Sequence, residues 1–393
     1  MTIEMKNNKN NNCNFPTLRF PEFSGEWKKY FIRDIAEVTK GAGISKEQRS
    51  LFGTPCILYG ELYTTYKSEV INDVQSKTDI DAKNLVRSKE NDVIIPSSGE
   101  TAIDISTARC VPYDDVLLGG DLNIIRLYQN DGRFLSYQLN GVRKLDIARV
   151  AQGSSVIHLY GESIKSLSVS LPALKEQQKI VSLLSLIDER IATQNKIIEE
   201  YKKLKNALAE LFFAKSIEYT SIGEMCDVVM GQSPSSVAYN YTKNGLPLIQ
   251  GNLDIFEGVT SPRMWTSDIT KQCDIGDIIL TVRAPVGDVA KSNMIACVGR
   301  GVCAIKVKES GCSEYVYQYL LYFKAKWGSI EQGSTFSAIS RNDILNINIP
   351  VITKRLIVAS HLLALFDSEI SIEALNLNVY TKQKQYLLTK MFI

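Results

Sequence analysis

The sequence predicts an α+β protein in which two repeated globular domains are separated by two long helices, the helices forming an antiparallel coiled coil. Three observations predict it: a long internal repeat, an apolar stripe of coiled-coil period in each copy, and short β-rich runs broken by turns. The repeat is plainest where QGSSVIHLYGESIKSLSVSLP (152–172) is answered by QGSTFSAISRNDILNINIP (332–350). Each QGS turn leads through a loop to an alternating apolar strand that stops at a proline. Adding 179 to the numbers then carries Leu184 onto Leu363, Ile187 onto Phe366, Asp188 onto Asp367 and Ile191 onto Ile370. The same step carries Ile198 onto Leu377, Tyr201 onto Tyr380, Leu208 onto Leu387 and Phe212 onto Met391. Solenoid units repeat within about 50 residues, so this longer period marks a duplicated domain. Pseudo-two-fold symmetry of that kind suits a two-part target such as a split DNA site.

The elements follow in chain order. Residues 1–14 are rich in Asn and Lys and predict a short disordered tail; they have no apolar core of the kind a secretory signal needs. Residues 15–172 form the first globular domain, 173–216 the first helix, 217–350 the second domain and 351–393 the second helix. Four blocks recur in one order within the domains. IRDIAEVTKG (32–41) matches IGEMCDVVMG (222–231), and PCILYGEL (55–62) resembles PLIQGNL (247–253). NDVIIPSSG (91–99) answers GDIILTVRAPVG (276–287), and LGGDLNIIRL (118–127) answers VGRGVCAIKV (298–307). The last two are a buried strand entering a polar loop and a glycine turn feeding a strand. The side chains at the loop tips differ throughout, as two related scaffolds with two specificities would.

The first helix is expected from about Glu176 to Phe213 and the second from about Lys354 to Ile393. Ile180, Leu184, Ile187, Ile191, Ile198, Tyr201, Leu208 and Phe212 recur at steps of three, four or seven, the seam of a coiled coil. Gln194 and Lys205 interrupt it, and polar seam residues commonly set register. Lys202, Lys203, Glu199 and Glu200 read as a solvated face. Ile187, Ile191, Ile198, Tyr201 and Leu208 are expected to pack on Phe366, Ile370, Leu377, Tyr380 and Leu387, each facing its repeat equivalent. At ~1.5 Å per residue each helix spans on the order of 55 Å, more than one ~34 Å turn of B-DNA. The pair is therefore expected to act as a spacer.

At 393 residues, two or three domains are expected. Hydrophobic content of 45% and charged content of 22% are those of an ordinary soluble protein, and no run approaches the ~20 apolar residues of a membrane helix. Eight cysteines without a CxxC pair point to free thiols in a reducing cytoplasm. A net charge of +2 argues against a nonspecific polyanion binder, yet fits a specific DNA reader that shares phosphate contacts with partners. The chain has only two histidines, His158 and His361. The GAG at 41–43 lacks a third glycine, and there is no GxxxxGK[ST] and no GxSxG. Nor is there an Asn-Pro-Pro-aromatic motif or a metal-nuclease carboxylate cluster. No catalytic residue and no metal site is expected, which favours a binding or organising role.

Polar and aromatic groups near turns are the candidates for DNA contact. In the first domain they are Tyr59, Tyr63, Lys67, Ser97, Ser98, Thr101, Tyr137 and Gln138. In the second they are Gln232, Ser233, Gln250, Asn252, Arg283, Arg300, Ser334 and Thr335. Arg, Gln and Asn read base edges bidentately, while Ser and Thr mainly position the backbone. Arg283 ranks first, because a strand holds it at a loop mouth.

LRFPEFSGEWKKYFIRDIAEVTKG (18–41), YGELYTTY (59–66), IPSSGETA (95–102) and LPALKEQQKIVSLLSLIDERI (171–191) resemble the specificity (S) subunit of type I restriction-modification systems. The resemblance covers nearly the whole chain, and the LPALKEQQKI run before a long helix and the GEW near the start are specific to it. It implies two target-recognition domains, each reading one half of a bipartite site in double-stranded DNA. It implies two helices that fix the half-site separation and dock two modification (methyltransferase) subunits, through which restriction subunits join. It also implies a chain without cofactors, with S-adenosylmethionine, ATP and Mg held by those partners. One departure stands out: the second copy reads IPVITKRLIVASHLL (349–363) and lacks the EQQ cluster. A coiled-coil scaffold whose globules bind protein or glycan would keep both repeats and helices, but would show no DNA preference.

Overall fold

The computed structural model describes residues 4–5, 14–215, 218–329 and 338–393. Two compact units emerge. One takes the chain up to Thr193 together with Leu377–Ile393, and the other takes Gln194–Asn376. Each unit thus holds one globular domain and half of each long helix.

In the first unit the strand Asp92–Pro96 is buried along its whole length. It lies between the antiparallel strands Leu122–Leu127 and Arg109–Val111, and Ala36–Lys40 closes the far side of Leu122–Leu127. A strand covered on both faces needs a continuous apolar run, and its side chains alternate between two cores. Val93, Ile95 and Ile125 enter a large core with Trp27, Phe134 and the first long helix. Ile94, Leu122 and Ile124 enter a smaller one with Ile57, Leu62 and Val111. A second, mixed sheet runs Ser76–Thr78, Thr54–Ile57, Leu117–Leu118 and Val86–Arg87.

The second unit repeats the plan. Cys226–Met230, Val302–Val307 and Ile278–Thr281 form the same antiparallel trio. Ile278, Leu280, Cys303 and Ile305 face a core containing Tyr315, Leu320 and Phe213. Ile279, Val302 and Ala304 face another with Ile249 and Val298. The parallel pairing of Leu246–Ile249 with Ala296–Val298 corresponds to that of Thr54–Ile57 with Leu117–Leu118. One-turn helices at Ile32–Ile35 and Ile222–Met225 enter the first strand of each trio, as the matched blocks predict.

The long helices run Leu174–Phe213 and Lys354–Lys390, within a few residues of expectation. Their pairing is antiparallel within each unit. In the first, Ile180, Leu184 and Ile187 share a core with Leu387, Leu388 and Met391, and the Arg190 guanidinium lies 5.7 Å from the Tyr380 ring centre. In the second, Tyr201 and Phe366 meet edge-on at 6.2 Å, and Ala209 and Phe213 share a core with Leu356 and Leu363. Ile198 is buried, and Ile191, Leu208, Ile370, Leu377 and Tyr380 are half-buried.

The expected partnering needs correction. Ile187 packs with Leu387, in its own unit, whereas its repeat equivalent Phe366 packs in the other on Tyr201. Numbers rise along one antiparallel helix as they fall along the other, so equivalents separate away from the centre of the repeat. One pair is its own equivalent: adding 179 to 194 gives 373, and the Gln194 amide donates to the Glu373 carboxylate and to its backbone carbonyl, 3.3 Å away. The other seam interruption, Lys205, ion-pairs with Asp367 at 2.5 Å. Its equivalent Lys384 pairs with Asp188 at 2.5 Å and with Glu69. Lys202–Glu199 and Lys203–Glu200 are exposed pairs, as a solvated face predicts.

Within the expected N-terminal tail, Glu4–Met5 form a short strand against Leu18–Arg19; most of the rest lies outside the described residues. The seven described cysteines are unpaired and buried. Among the described residues no helix is long and apolar enough to cross a membrane, and no His/Cys/Asp/Glu group could hold a metal. The first QGS turn closes through paired backbone bonds between Gln152 and His158, at 2.9 and 2.7 Å. The second, at 332–334, lies outside the described residues.

Candidate nucleic-acid interface

The same backbone hydrogen bonds gather the same four loops at one end of each domain. Gly41 N–H donates to Leu122 O at 3.0 Å, and Gly231 N–H to Val302 O at 3.1 Å. Ala42 N–H reaches Leu118 O at 3.1 Å, and Gln232 N–H reaches Val298 O at 2.9 Å. Gly119 N–H reaches Ile57 O at 2.9 Å, and Gly299 N–H reaches Ile249 O at 2.8 Å. Leu159 N–H reaches Ser97 O at 2.9 Å, and Ile339 N–H reaches Val282 O at 3.1 Å. Glycine is required at 41 and 231, where a Cβ would collide with the carbonyl oxygens of Gly119 and Gly299. These bonds fix the correspondence of loop positions: Arg283 stands where the first domain has Ser98, Arg300 where it has Gly120, and Gln250 where it has Leu58.

In the second domain the loops line an open cleft of about 420 Å3 that brings together Ser233, Gln250, Asn252, Arg283 and Arg300. Five residues scattered over the sequence thus share one concave surface. Arg283 is exposed at the end of a buried strand, and its backbone is bridged antiparallel to Ala338. Arg300 is exposed on the turn between Ala296–Val298 and Val302–Val307. Neither arginine has an acidic partner among the described residues. Asp254 steadies the neighbouring loop by accepting from Gln250 N–H at 2.8 Å and from Arg263 at 3.0 Å. Gln232 is exposed outside the cleft lining, and Ser334 and Thr335 lie outside the described residues.

The first domain carries a wider cleft, about 970 Å3, lined by Tyr59 with Ser45, Lys46, Gln48, Arg49 and Asp121 among others. Tyr59 is the one first-domain candidate that lines it. Ser98 pairs across strands with His158, and Ser97 is buried with its hydroxyl 3.4 Å from Asp121. Tyr63 is half-buried, Lys67 is exposed and donates to Thr64 O at 2.8 Å, and Thr101 bonds Asp104 at 2.7 Å. His158 is exposed and stacks on Tyr160, and His361 is exposed on the second helix.

Tyr137 and Gln138 must be withdrawn from the interface. Both are fully buried in the helix Gly132–Asn140. The Tyr137 hydroxyl donates to Asp188 at 2.6 Å, and the Gln138 amide donates to Ser170 O at 2.8 Å. Burial, then the Asp188 carboxylate, push the Tyr137 phenol well above its ordinary pKa and keep it a donor. Sequence reasoning missed Lys46 and Arg49. Their signal was there: the loop after the matched glycine reads KEQR (46–49) in the first copy and carries no cation in the second (PSSVA, 234–238).

The EQQ cluster is mostly structural. Glu176 accepts from Arg19 at 2.7 and 2.8 Å and from the Trp27 indole at 3.3 Å. Gln177 accepts from Asp131 N–H at 3.0 Å and donates to Asn130 and Pro172 O, each at 2.9 Å. Only Gln178 is exposed. In the second copy Arg355 replaces Glu176, its guanidinium 5.9 Å from the Phe212 ring centre.

A family model described as type I restriction modification DNA specificity domain matches the chain twice, at residues 24–203 and 215–354. The chain is 29% identical over 377 residues to the putative type I restriction enzyme MjaX specificity subunit of Methanocaldococcus jannaschii, covering 86% of each. It is 24% identical over 377 residues to the MjaVIII specificity subunit of the same organism, covering 85% of this chain and 83% of the relative. Its fold is similar to the S subunit of a type I restriction-modification system from M. genitalium, with a TM-score of 0.68 over 96% of this chain and 99% of the other at 17% identity. A chain from a study of complex assembly in a type I R-M system aligns over 93% of this chain and 97% of its own, with a TM-score of 0.57 at 23% identity.

Proposed function

From the premise that the chain belongs to the type I restriction-modification DNA specificity family, a family of DNA sequence recognition, we propose that it is a non-catalytic subunit whose two domains each read one half of a bipartite site. The observation that carries the proposal is the pair of clefts built on identical backbone bonds with different side chains at their rims. One scaffold used twice with two chemistries is what two unlike half-sites require. The long helices set the half-site spacing and dock two modification subunits, through which restriction subunits join. S-adenosylmethionine, ATP and Mg belong to those partners. Support for docking comes from the second helix, where Val358, Leu362, Leu365, Ile372 and Leu375 form an exposed apolar stripe at steps of three, four or seven. Such a stripe is a seam for another helix.

The test is a domain exchange. Replacing residues 217–350 with the matching domain of a relative is expected to change one half of the methylated sequence and leave the other intact, as read by methylome sequencing. A change in both halves would mean that the domains do not read independently, and binding without any DNA preference would favour the scaffold reading.

The spacer role has its own test. Four residues inserted after Glu199, matched by four after Glu369 at the facing level of the partner helix, add about 6 Å of rise while keeping the seam on nearly the same face. The nonspecific spacer is expected to lengthen by about two base pairs, at ~3.4 Å each, with both half-site sequences unchanged. Retained activity on the original spacing would mean that the helices do not set the distance.

A further inference from the structure

We propose that the half-site read by the second domain contains a guanine whose major-groove edge is held by Arg283, with Arg300 beside it, and that the first domain reads its half-site without an arginine at either position. The inference rests on the reading of the clefts as DNA-reading surfaces and names the base that one of them selects.

The two domains share the backbone of these loops and differ in what the loop tips carry: Arg283, Arg300 and Gln250 against Ser98, Gly120 and Leu58, of which Gly120 and Leu58 line the first cleft and Ser98 lies outside it. The scaffold is common to both, so these positions are where the specificity of the second domain differs. A guanidinium offers two parallel donors, and guanine is the base whose major-groove edge offers two acceptors, O6 and N7. A base reader also needs a rigid root. Arg283 follows Ile278–Thr281, all four residues of which are buried, and Val282, which is 3% exposed and receives the Ile339 N–H. No carboxylate among the described residues competes for either guanidinium. Arg283 and Arg300 line the same cleft as Gln250 and Asn252, so base-reading side chains converge on one concavity instead of spreading along a rim.

The experiment uses the full chain assembled with its modification subunits. Methylome sequencing gives the site, and the domain exchange shows which half belongs to residues 217–350. Duplexes are then made in which each guanine of that half-site in turn is 7-deazaguanine, which lacks the N7 acceptor. At one guanine the substitution is expected to weaken binding about tenfold. Arg283→Ala is expected to weaken binding to the unmodified duplex and to be indifferent to 7-deazaguanine at that position. Arg283→Lys keeps the charge but not the fork, so it should retain nonspecific binding and lose the base preference. A half-site without guanine, or one in which 7-deazaguanine is tolerated everywhere, overturns the proposal without any variant having to fold. So does an Arg283→Ala complex that stays sensitive. If the assembled complex discriminates no sequences at all, DNA reading by the clefts has failed, and this inference falls with it.

Discussion

Lys384→Met is expected to destabilise the first unit by about 3–5 kcal/mol, because it removes one partner from a buried ionic cluster. The Lys384 side chain is 12% exposed, and its carboxylate partners Glu69 and Asp188 are 9% and 7% exposed. Asp188 also accepts from Tyr137 at 2.6 Å and Ser68 at 2.9 Å. With the ammonium gone, two carboxylates face each other with little water to separate them. Burial alone pulls the Lys384 pKa down, but Glu69 and Asp188 more than offset it and hold the group above its ordinary value. A raised lysine contributes stability that is complete below its unfolded pKa of ~10.4 and is lost only as pH rises through the folded value. Unfolding in urea at neutral pH therefore reads the whole effect. The repeat supplies an internal comparison. Lys205 and Asp367 are the equivalent pair, but Asp367 is 40% exposed, and solvent screens it. Lys205→Met is expected to cost at most about 1 kcal/mol. Equal losses for the two variants would show that burial does not set the difference.

Both ion pairs were written in the sequence, since the step of 179 carries Lys205 onto Lys384 and Asp188 onto Asp367. That they meet could not be read there: antiparallel pairing was expected, but not the register that sets Lys205 against Asp367 and Lys384 against Asp188. The repeated blocks, their order and the helix limits were legible because they depend on local pattern: alternating apolar residues, glycines at close approaches and a 3.5-residue stripe. The candidate site was legible in the second domain to the extent that Ser233, Gln250, Asn252, Arg283 and Arg300 proved to share a cleft. It was less legible in the first. Tyr137 and Gln138 look like surface groups by residue type, and only tertiary structure supplies the Asp188 carboxylate and Ser170 carbonyl that let them be buried. Lys46 and Arg49 stand out in sequence only when the two copies are set side by side, and they line a cleft because long-range pairing brings Thr54–Ile57 beside Leu117–Leu118.

Glu176→Ala is likewise expected to cost about 3–5 kcal/mol, and it decides what the EQQ cluster is for. Glu176 and Arg19 are 2% and 4% exposed, and the carboxylate takes two bonds from the guanidinium and one from the Trp27 indole. Without it, Arg19 keeps, among the described residues, only the carbonyls of Ser24 and Gly25 as partners for a buried charge. Removing both charges, as Arg19→Met with Glu176→Leu, should recover most of the loss, since an apolar pair of similar size leaves no buried ion behind. Gln177→Ala should cost about 1–3 kcal/mol, because Asp131 N–H loses its acceptor out of water. Gln178→Ala, at an exposed position, should stay within about 0.5 kcal/mol of the parent. The graded series follows from burial alone and is read by urea unfolding of the full chain. The start of the second helix has no such anchor, with Arg355 stacked on Phe212 in place of the carboxylate. Absence of EQQ there is thus a difference in how a helix is seated on its own domain. The opposite result would be a Glu176→Ala chain as stable as its parent that no longer retains its modification subunits. In that case the cluster would be a docking site, and its absence from the second copy would mean that the two partners are held differently.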